Sequence, residues 1–153
     1  MKLHLFEATQ KLPVPLSILW DFFANPANLE KISPPSLGLE FTSELPERMY
    51  AGLLMTYRIR PFLGVALNWV NQITHVEEPY RFVDEQRFGP YRFFHHQHLF
   101  RPVEGGVEMR DLVHYAPPGG GAARRLLVGP RLAAIFAYRR EALERTFGAW
   151  THD

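Results

Sequence analysis

Residues 80–116 read YRFVDEQRFGPYRFFHHQHLFRPVEGGVEMRDLVHYA, and the fold turns on how this run divides. Three segments in it alternate side chains with a period of two, the mark of a β-strand with one face inward. Only short breaks, GPY and VEGG, separate them, and breaks of this length join neighbouring antiparallel strands. The run therefore predicts three strands side by side. The middle strand carries His95, His96 and His98, three of the chain's seven histidines.

The same period extends toward the amino terminus. LGLEFTSEL (37–45), LLMTYRIR (53–60) and VALNWVNQITHV (65–76) are further strands, separated by PERMYAG, PFLG and EEP. KLHLFEATQKL (2–12) is a first strand, in which Leu3, Leu5 and Glu7 alternate with Lys2, His4 and Phe6. Between it and the second strand the period changes. Pro15 opens a short helix with Leu16, Leu19, Trp20 and Phe23 on one face, and Asn25-Pro26 stops it, because the residue before proline is driven out of the helical region. ANLEKI (27–32) is a second short helix, closed by SPP. APPGGG (116–121) ends the sheet and lacks the Lys-Ser/Thr that a phosphate loop requires. A long carboxy-terminal helix follows, with Leu132, Ile135, Phe136, Arg139, Leu143 and Phe147 on one face; Gly129-Pro130 either kinks it or marks its start.

The predicted fold class is α+β: a curved seven-stranded antiparallel sheet wrapped around the carboxy-terminal helix, as one domain over residues 1–153. Composition agrees. The chain is 46% hydrophobic and 22% charged, with a net charge of +1, which argues against nucleic acid as a partner. The absence of cysteine removes disulfide and thiolate chemistry. No apolar run is long enough to span a membrane and the first residues are too polar for a signal peptide, so a cytoplasmic location is expected. Aromatic residues make up 14% and recur along the strands, which suits a solid core or a concave apolar lining.

With this order of elements, ISPPSLGLEF (32–41), FVDEQRFGPYRFFHHQHLF (82–100), MRDLVHYAPPGG (109–120) and LAAIFAYRREAL (132–143) resemble the START-like, or SRPBCC, superfamily. Within it they are similar to a bacterial subgroup described as polyketide cyclase/dehydrase-like or ligand-binding. The resemblance implies a helix-grip fold. It does not imply one reaction, because such folds host carriers and enzymes alike.

Strand faces then select candidate residues. Arg81, Glu85 and Arg87 mark the solvent side of their strand, which sends Phe82, Asp84 and Gln86 inward. In VEMRDLVHY, Met109, Asp111, Val113 and Tyr115 share the inner face. A three-residue GPY loop places Asp84 opposite His96, and a four-residue PVEG loop places His96 opposite Asp111. The expected result is a lateral row Asp84–His96–Asp111 on the concave face, with Phe82, His98 and Met109 in the next row. The preceding hairpin puts Ile73 opposite Asp84 and Asn71 opposite Gln86, with Trp69, Met55, Tyr57 and Ile59 also inward. His95 and His114 fall on the outer face.

An imidazole between two carboxylates is expected to be held protonated. The row serves either as a satisfied network that holds register or as the polar end of a ligand cavity. His96 and His98 share a face, and with Asp84 or Asp111 they could chelate a metal. Pairing already satisfies His96, so neither metal nor cofactor is expected. The candidate partner is a small apolar or aromatic molecule or a lipid. Tyr57, Trp69, Phe94, Tyr115 and Phe136 would form its apolar walls. Asp84, Gln86, His96, His98 and Asp111 would read its polar end, with Asn71 beside them and Arg139 as a counter-charge. The alternative is a cyclase- or dehydratase-type enzyme in which His96 moves a proton with Asp84 or Asp111.

Overall fold

A computed structural model of the chain describes residues 1–62, 64–119, 121–123 and 128–152. Seven strands form one antiparallel sheet: β1 (His4–Leu12), β2 (Glu40–Phe41), β3 (Leu54–Phe62), β4 (Val65–Glu77), β5 (Arg81–Phe88), β6 (Phe93–Val103) and β7 (Gly106–Ala116). Their order across the sheet is β1-β7-β6-β5-β4-β3-β2, so each hairpin joins spatial neighbours and the first strand returns to the edge beside the last. Register breaks lie between Val70 and Asn71, between Ile73 and His75, and between Ile59 and Phe62. Such bulges add a residue to one strand, increase its twist and bend it, and here they help curve the sheet into a trough.

Helix α1 (Leu16–Ala24) buries Leu19, Trp20 and Ala24 against one end of the trough. Trp20 and Phe23 pack onto Phe82 and Phe100, and the Trp20 indole N–H donates to Glu78 Oε1 at 2.8 Å, which ties α1 to the β4–β5 turn. The second predicted helix is a 3-10 segment, Pro26–Ile32, whose first turn is capped by Asn25 Oδ1 accepting from the Ala27 N–H at 3.1 Å. A short 3-10 turn, Pro35–Leu37, follows. The strand predicted over 37–45 is reduced to Glu40–Phe41.

One turn of helix, α2 (Gly121–Ala123), precedes the long α3 (Gly129–Phe147), which buries Leu132, Phe136, Arg139, Ala142 and Leu143. Gly129-Pro130 is thus the start of α3, as suits a proline in the first turn. Residues 124–127 of the predicted helical run lie outside the described residues. Gln10 Nε2 donates to the Arg140 carbonyl at 2.9 Å, and Arg140 Nη1 donates to the Thr9 carbonyl at 2.9 Å. The Gly148 N–H closes the last turn on the Glu144 carbonyl at 2.8 Å. α3 approaches β1 and the 3-10 segment most closely and stands off from β3–β5, so a hollow remains beneath it.

On β1, where the alternation left the inner face open, the inner residues are His4, Phe6, Ala8, Gln10 and Leu12, while Leu3 and Leu5 are exposed. Local alternation in KLHLFE is ambiguous, and the pairing Phe6↔Val113 decides it. The β6–β7 connection is a two-residue turn, with Val103 paired to Gly106, instead of the four-residue loop. Gly105 adopts φ +90, which permits the tighter turn and lets both strands run further. The register therefore moves by two residues, which preserves faces but changes partners: His96 is opposite Val113, and His98 is opposite Asp111.

Gly106 also admits the return of β1. A Cβ there would lie 2.0 Å from the Leu12 carbonyl oxygen. Gly106→Ala is expected to lower stability by roughly 1–3 kcal/mol, read as a lower urea midpoint. Gly121→Ala, at a position open to free space, serves as the control and should leave the midpoint nearly unchanged.

Candidate functional site

The polar band of the trough comes from β5, β6 and β7. Asp84 is directly opposite His96, and Asp111 is directly opposite His98, yet the hydrogen bonds run diagonally. His96 Nε2 lies 2.7 Å from Asp111 Oδ1, and His98 Nε2 lies 2.6 Å from Asp84 Oδ2. The side chains also meet along the direct pairs, at 3.9 Å for His96 Nδ1 to Asp84 Oδ2 and 3.4 Å for His98 Nδ1 to Asp111 Oδ1. Each imidazole thus has both carboxylates within ion-pair reach. The two rings stack at 3.6 Å between centroids, and Phe82 stacks on the other face of His98 at 3.8 Å. All four polar side chains are buried, Asp111 most deeply at 2% exposure.

Burial disfavours every charge in this cluster, and the neighbours decide the outcome. For His98, burial lowers the imidazole pKa, but the close approach of Asp111, the hydrogen bond to Asp84 and the charges of both outweigh it, so the pKa rises. For His96, burial and the nearby His98 charge prevail over the Asp111 hydrogen bond, and the pKa falls. Burial pushes both carboxyls up, while the hydrogen bonds and charges of the histidines pull them below the usual range. The shifts favour the carboxylate form of both aspartates, the protonated form of His98 and the neutral form of His96. Because Asp111 can only accept, the neutral ring carries its hydrogen on Nε2. The protonated histidine expected from the sequence was His96; both acids lie within reach of it, but burial and the neighbouring His98 outweigh them, and the raised pKa belongs to His98.

Beneath α3 this band borders a cavity of about 470 Å³. Tyr57, Trp69, Phe94 and Phe136 are in its wall with Asn71, Asp84, His96, His98 and Arg139, as expected from the sequence. Tyr57 and Trp69 stack at 5.8 Å, and Phe94 meets Trp69 edge-on at 5.1 Å. Ile32, Ser33, Pro34 and Leu37 also line the cavity. Burial, and secondarily the Asp84 charge, holds the Tyr57 hydroxyl well above the ordinary tyrosine range, with Arg139 opposing, so the phenol stays neutral.

Three expected members stand outside that wall. Gln86 turns to the β5–β6 loop: its Nε2 donates to the Tyr91 carbonyl at 2.8 Å and its Oε1 accepts from the Tyr91 N–H at 3.0 Å. A loop with unpaired backbone groups takes up the glutamine amide before a ligand could. Tyr115 packs beneath the loop against Tyr91 and His4. Asp111 lies behind the imidazoles and borders a second cavity of about 210 Å³, shared with Phe6, Gln10, Phe136 and Arg139. Sequence reasoning missed Tyr91 and Met49, which line the main cavity from loops where no periodicity marks an inner face. His95 and His114 lie on the outer face, as expected, with rings 6.4 Å apart.

Among the described residues, several buried polar atoms in the cavity wall have no hydrogen-bond partner: Trp69 Nε1, Asn71 Oδ1, His98 Nδ1, and Arg139 Nε and Nη1. Asn71 Nδ2 donates to Asp84 Oδ1 at 3.2 Å, which turns its free carbonyl oxygen away from that carboxylate. Asp84, His96 and His98 each offer one atom within 4.8 Å of the others, a spacing compatible with a divalent cation. In the structure His96 Nε2 and His98 Nε2 are engaged by the crossed hydrogen bonds to Asp111 and Asp84.

The shifts fix the sign of the pH response. The raised His98 pKa contributes stability that is fully present below about 6.5 and is lost as pH rises through the folded-state value. The lowered His96 and carboxylate values act oppositely: their contributions are present above about 6.5 for His96 and about 3.9 for the aspartates, and erode as pH falls. Imidazole NMR should therefore show His98 protonated above pH 6.5 and His96 neutral below it. Asp111→Asn should bring the His98 titration down and reduce stability by about 3–5 kcal/mol, read in urea unfolding.

No protein-family model matches the chain, and no curated protein matches it. Solved structures do. Protein Ms6760 from Mycobacterium smegmatis is 18% identical, with 99% of each chain covered and a TM-score of 0.70. Protein CV1439 from Chromobacterium violaceum is 12% identical, covering 95% of this chain and 99% of the other, with a TM-score of 0.73. Ara h 8.0201 is 14% identical over 94% of this chain and 99% of its own, with a TM-score of 0.65. These likenesses, together with the strand order and the carboxy-terminal helix, establish that the chain adopts the helix-grip fold of a curved antiparallel sheet closed by a long helix.

Proposed function

We propose that the protein is a START-like binding or carrier domain that takes up a small, largely apolar molecule between the sheet and α3. The cavity carries this reading. At about 470 Å³ it falls in the range of small-molecule sites, and aromatic walls with a few convergent polar groups suit a ligand with one polar end. A helix packed flush against the sheet would have left no such volume. The polar band supplies orientation, and the stacked Tyr57 and Trp69 rings supply a flat apolar surface. Among the described residues no helix is long and apolar enough to cross a membrane.

A second reading rests on one observation. His96 is neutral, borders the cavity and is oriented by Asp111, an arrangement suited to a general base in a cyclase- or dehydratase-type reaction. The readings separate on the fate of a bound molecule. A carrier returns it unchanged, whereas an enzyme converts it, and conversion would depend on His96.

Native mass spectrometry of freshly purified protein should show a noncovalent adduct that disappears on denaturation. Ile135→Trp, which fills the cavity from α3, should abolish the adduct while shifting the melting temperature by only a few degrees. Persistence of full binding in that variant would place the ligand elsewhere.

A further inference from the structure

Arg139 is the outlier in the cavity wall. An arginine on the rim of a groove normally extends its guanidinium into water, yet this one is only 7% exposed and borders both cavities. Among the described residues no group accepts a hydrogen bond from it, and its Nε and Nη1 are buried and unpaired. The nearest carboxylate oxygen, Asp111 Oδ1, is 3.9 Å from Nη1, too far for a hydrogen bond. The guanidinium instead lies over the Phe136 ring at 4.8 Å, a contact that favours the charge but satisfies none of its in-plane donors. A buried charged donor without an acceptor is costly, and the cost is removed when a bound molecule supplies one. The unpaired Trp69 indole N–H in the same wall is a second donor in want of an acceptor.

Charge balance restricts the kind of acceptor. Asp84 and Asp111 are two acids set against the single guanidinium of Arg139, with the His96 and His98 rings hydrogen-bonded between them. The buried set therefore has no cationic side chain left over for a ligand anion. A ligand carboxylate would add an uncompensated negative charge beside two aspartates, whereas an uncharged oxygen would satisfy the guanidinium and leave the balance intact. Resting on the binding-cavity reading above, we infer that Arg139 receives a neutral carbonyl oxygen, so that the ligand class is ketones, esters or amides on an apolar or aromatic body rather than carboxylic acids.

A matched series tests this on the intact protein: 2-acetylnaphthalene, 2-ethylnaphthalene and 2-naphthoate, with affinities measured by tryptophan quenching and protein-observed NMR at pH 7. The ketone should bind about tenfold or more tightly than the ethyl compound, and the carboxylate more weakly than the ketone. In Arg139→Met the ketone should fall to the level of the ethyl compound, whose own affinity should stay within about twofold. Arg139→Lys, which keeps the charge balance, covers the case in which the methionine variant fails to fold; it too should lose most of the ketone preference. Equal binding of ketone and ethyl compound by the wild type, or tightest binding of the carboxylate, would overturn the assignment and leave the cavity reading standing. Failure of all three probes to bind would instead count against the cavity reading and take this inference with it.

Discussion

Two carboxylates and two imidazoles are buried together on the concave face of the sheet, and each can be there only because the others are. A buried aspartate without a partner would protonate or open the site to water; crossed pairing with His96 and His98 holds both in the charged form. The diagonal arrangement also couples three strands. A bond from β6 to β7 and another from β6 to β5 lock β6 between its neighbours, and a one-residue slip on either side would point an acid at the solvent face. Phe82 and the His96 ring sandwich the His98 imidazolium, giving its charge π faces on both sides.

The hollow follows from how α3 is held. It is tied along β1 by Gln10, Arg140 and Thr9 and reaches the 3-10 segment, while the bulged strands β3 and β4 curve away beneath it. Large rings project from those strands, but Tyr57 and Trp69 stack on each other and Trp69 meets Phe94 of β6 edge-on, so the rings line the concave wall without filling the space as interdigitated aliphatic chains would. The polar cluster lies at the boundary between this cavity and the smaller one, with Arg139 and Phe136 bordering both. Binding and structural roles therefore meet in the same few side chains. His96 orients toward a cavity because Asp111, behind it, fixes its tautomer.

Much of the trough was legible in the linear pattern. The period of two, the GPY break and the Arg81/Glu85/Arg87 face were enough to bring Asp84 opposite His96; the expected pairs Ile73–Asp84 and Asn71–Gln86 also occur, but by way of a register shift between Ile73 and His75 that no spacing announced. His98 facing inward followed from its spacing of two from His96. The β6–β7 partners were not legible, because a turn's length depends on whether Gly105 takes a positive φ, and VEGG allows more than one choice. The inner face of β1 was left open by its alternation, and its leucines point to solvent, a choice made by pairing with β7 and not by local hydrophobicity. Gln86 was expected in the site on the strength of its face alone; a neighbouring loop with free backbone groups claimed its amide.

The sequence by itself determined the elements, their antiparallel order and which side chains face inward, because those depend on periodicity and on short connections. Only the tertiary structure decided that the two imidazole pKa values move in opposite directions, that Arg139 is buried without a hydrogen-bond partner among the described residues, and that a void lies under the helix. Those outcomes depend on distances between strands, on the close approach of charges in a poorly hydrated interior and on where a helix comes to rest across a bent sheet, none of which is encoded in spacing along one strand.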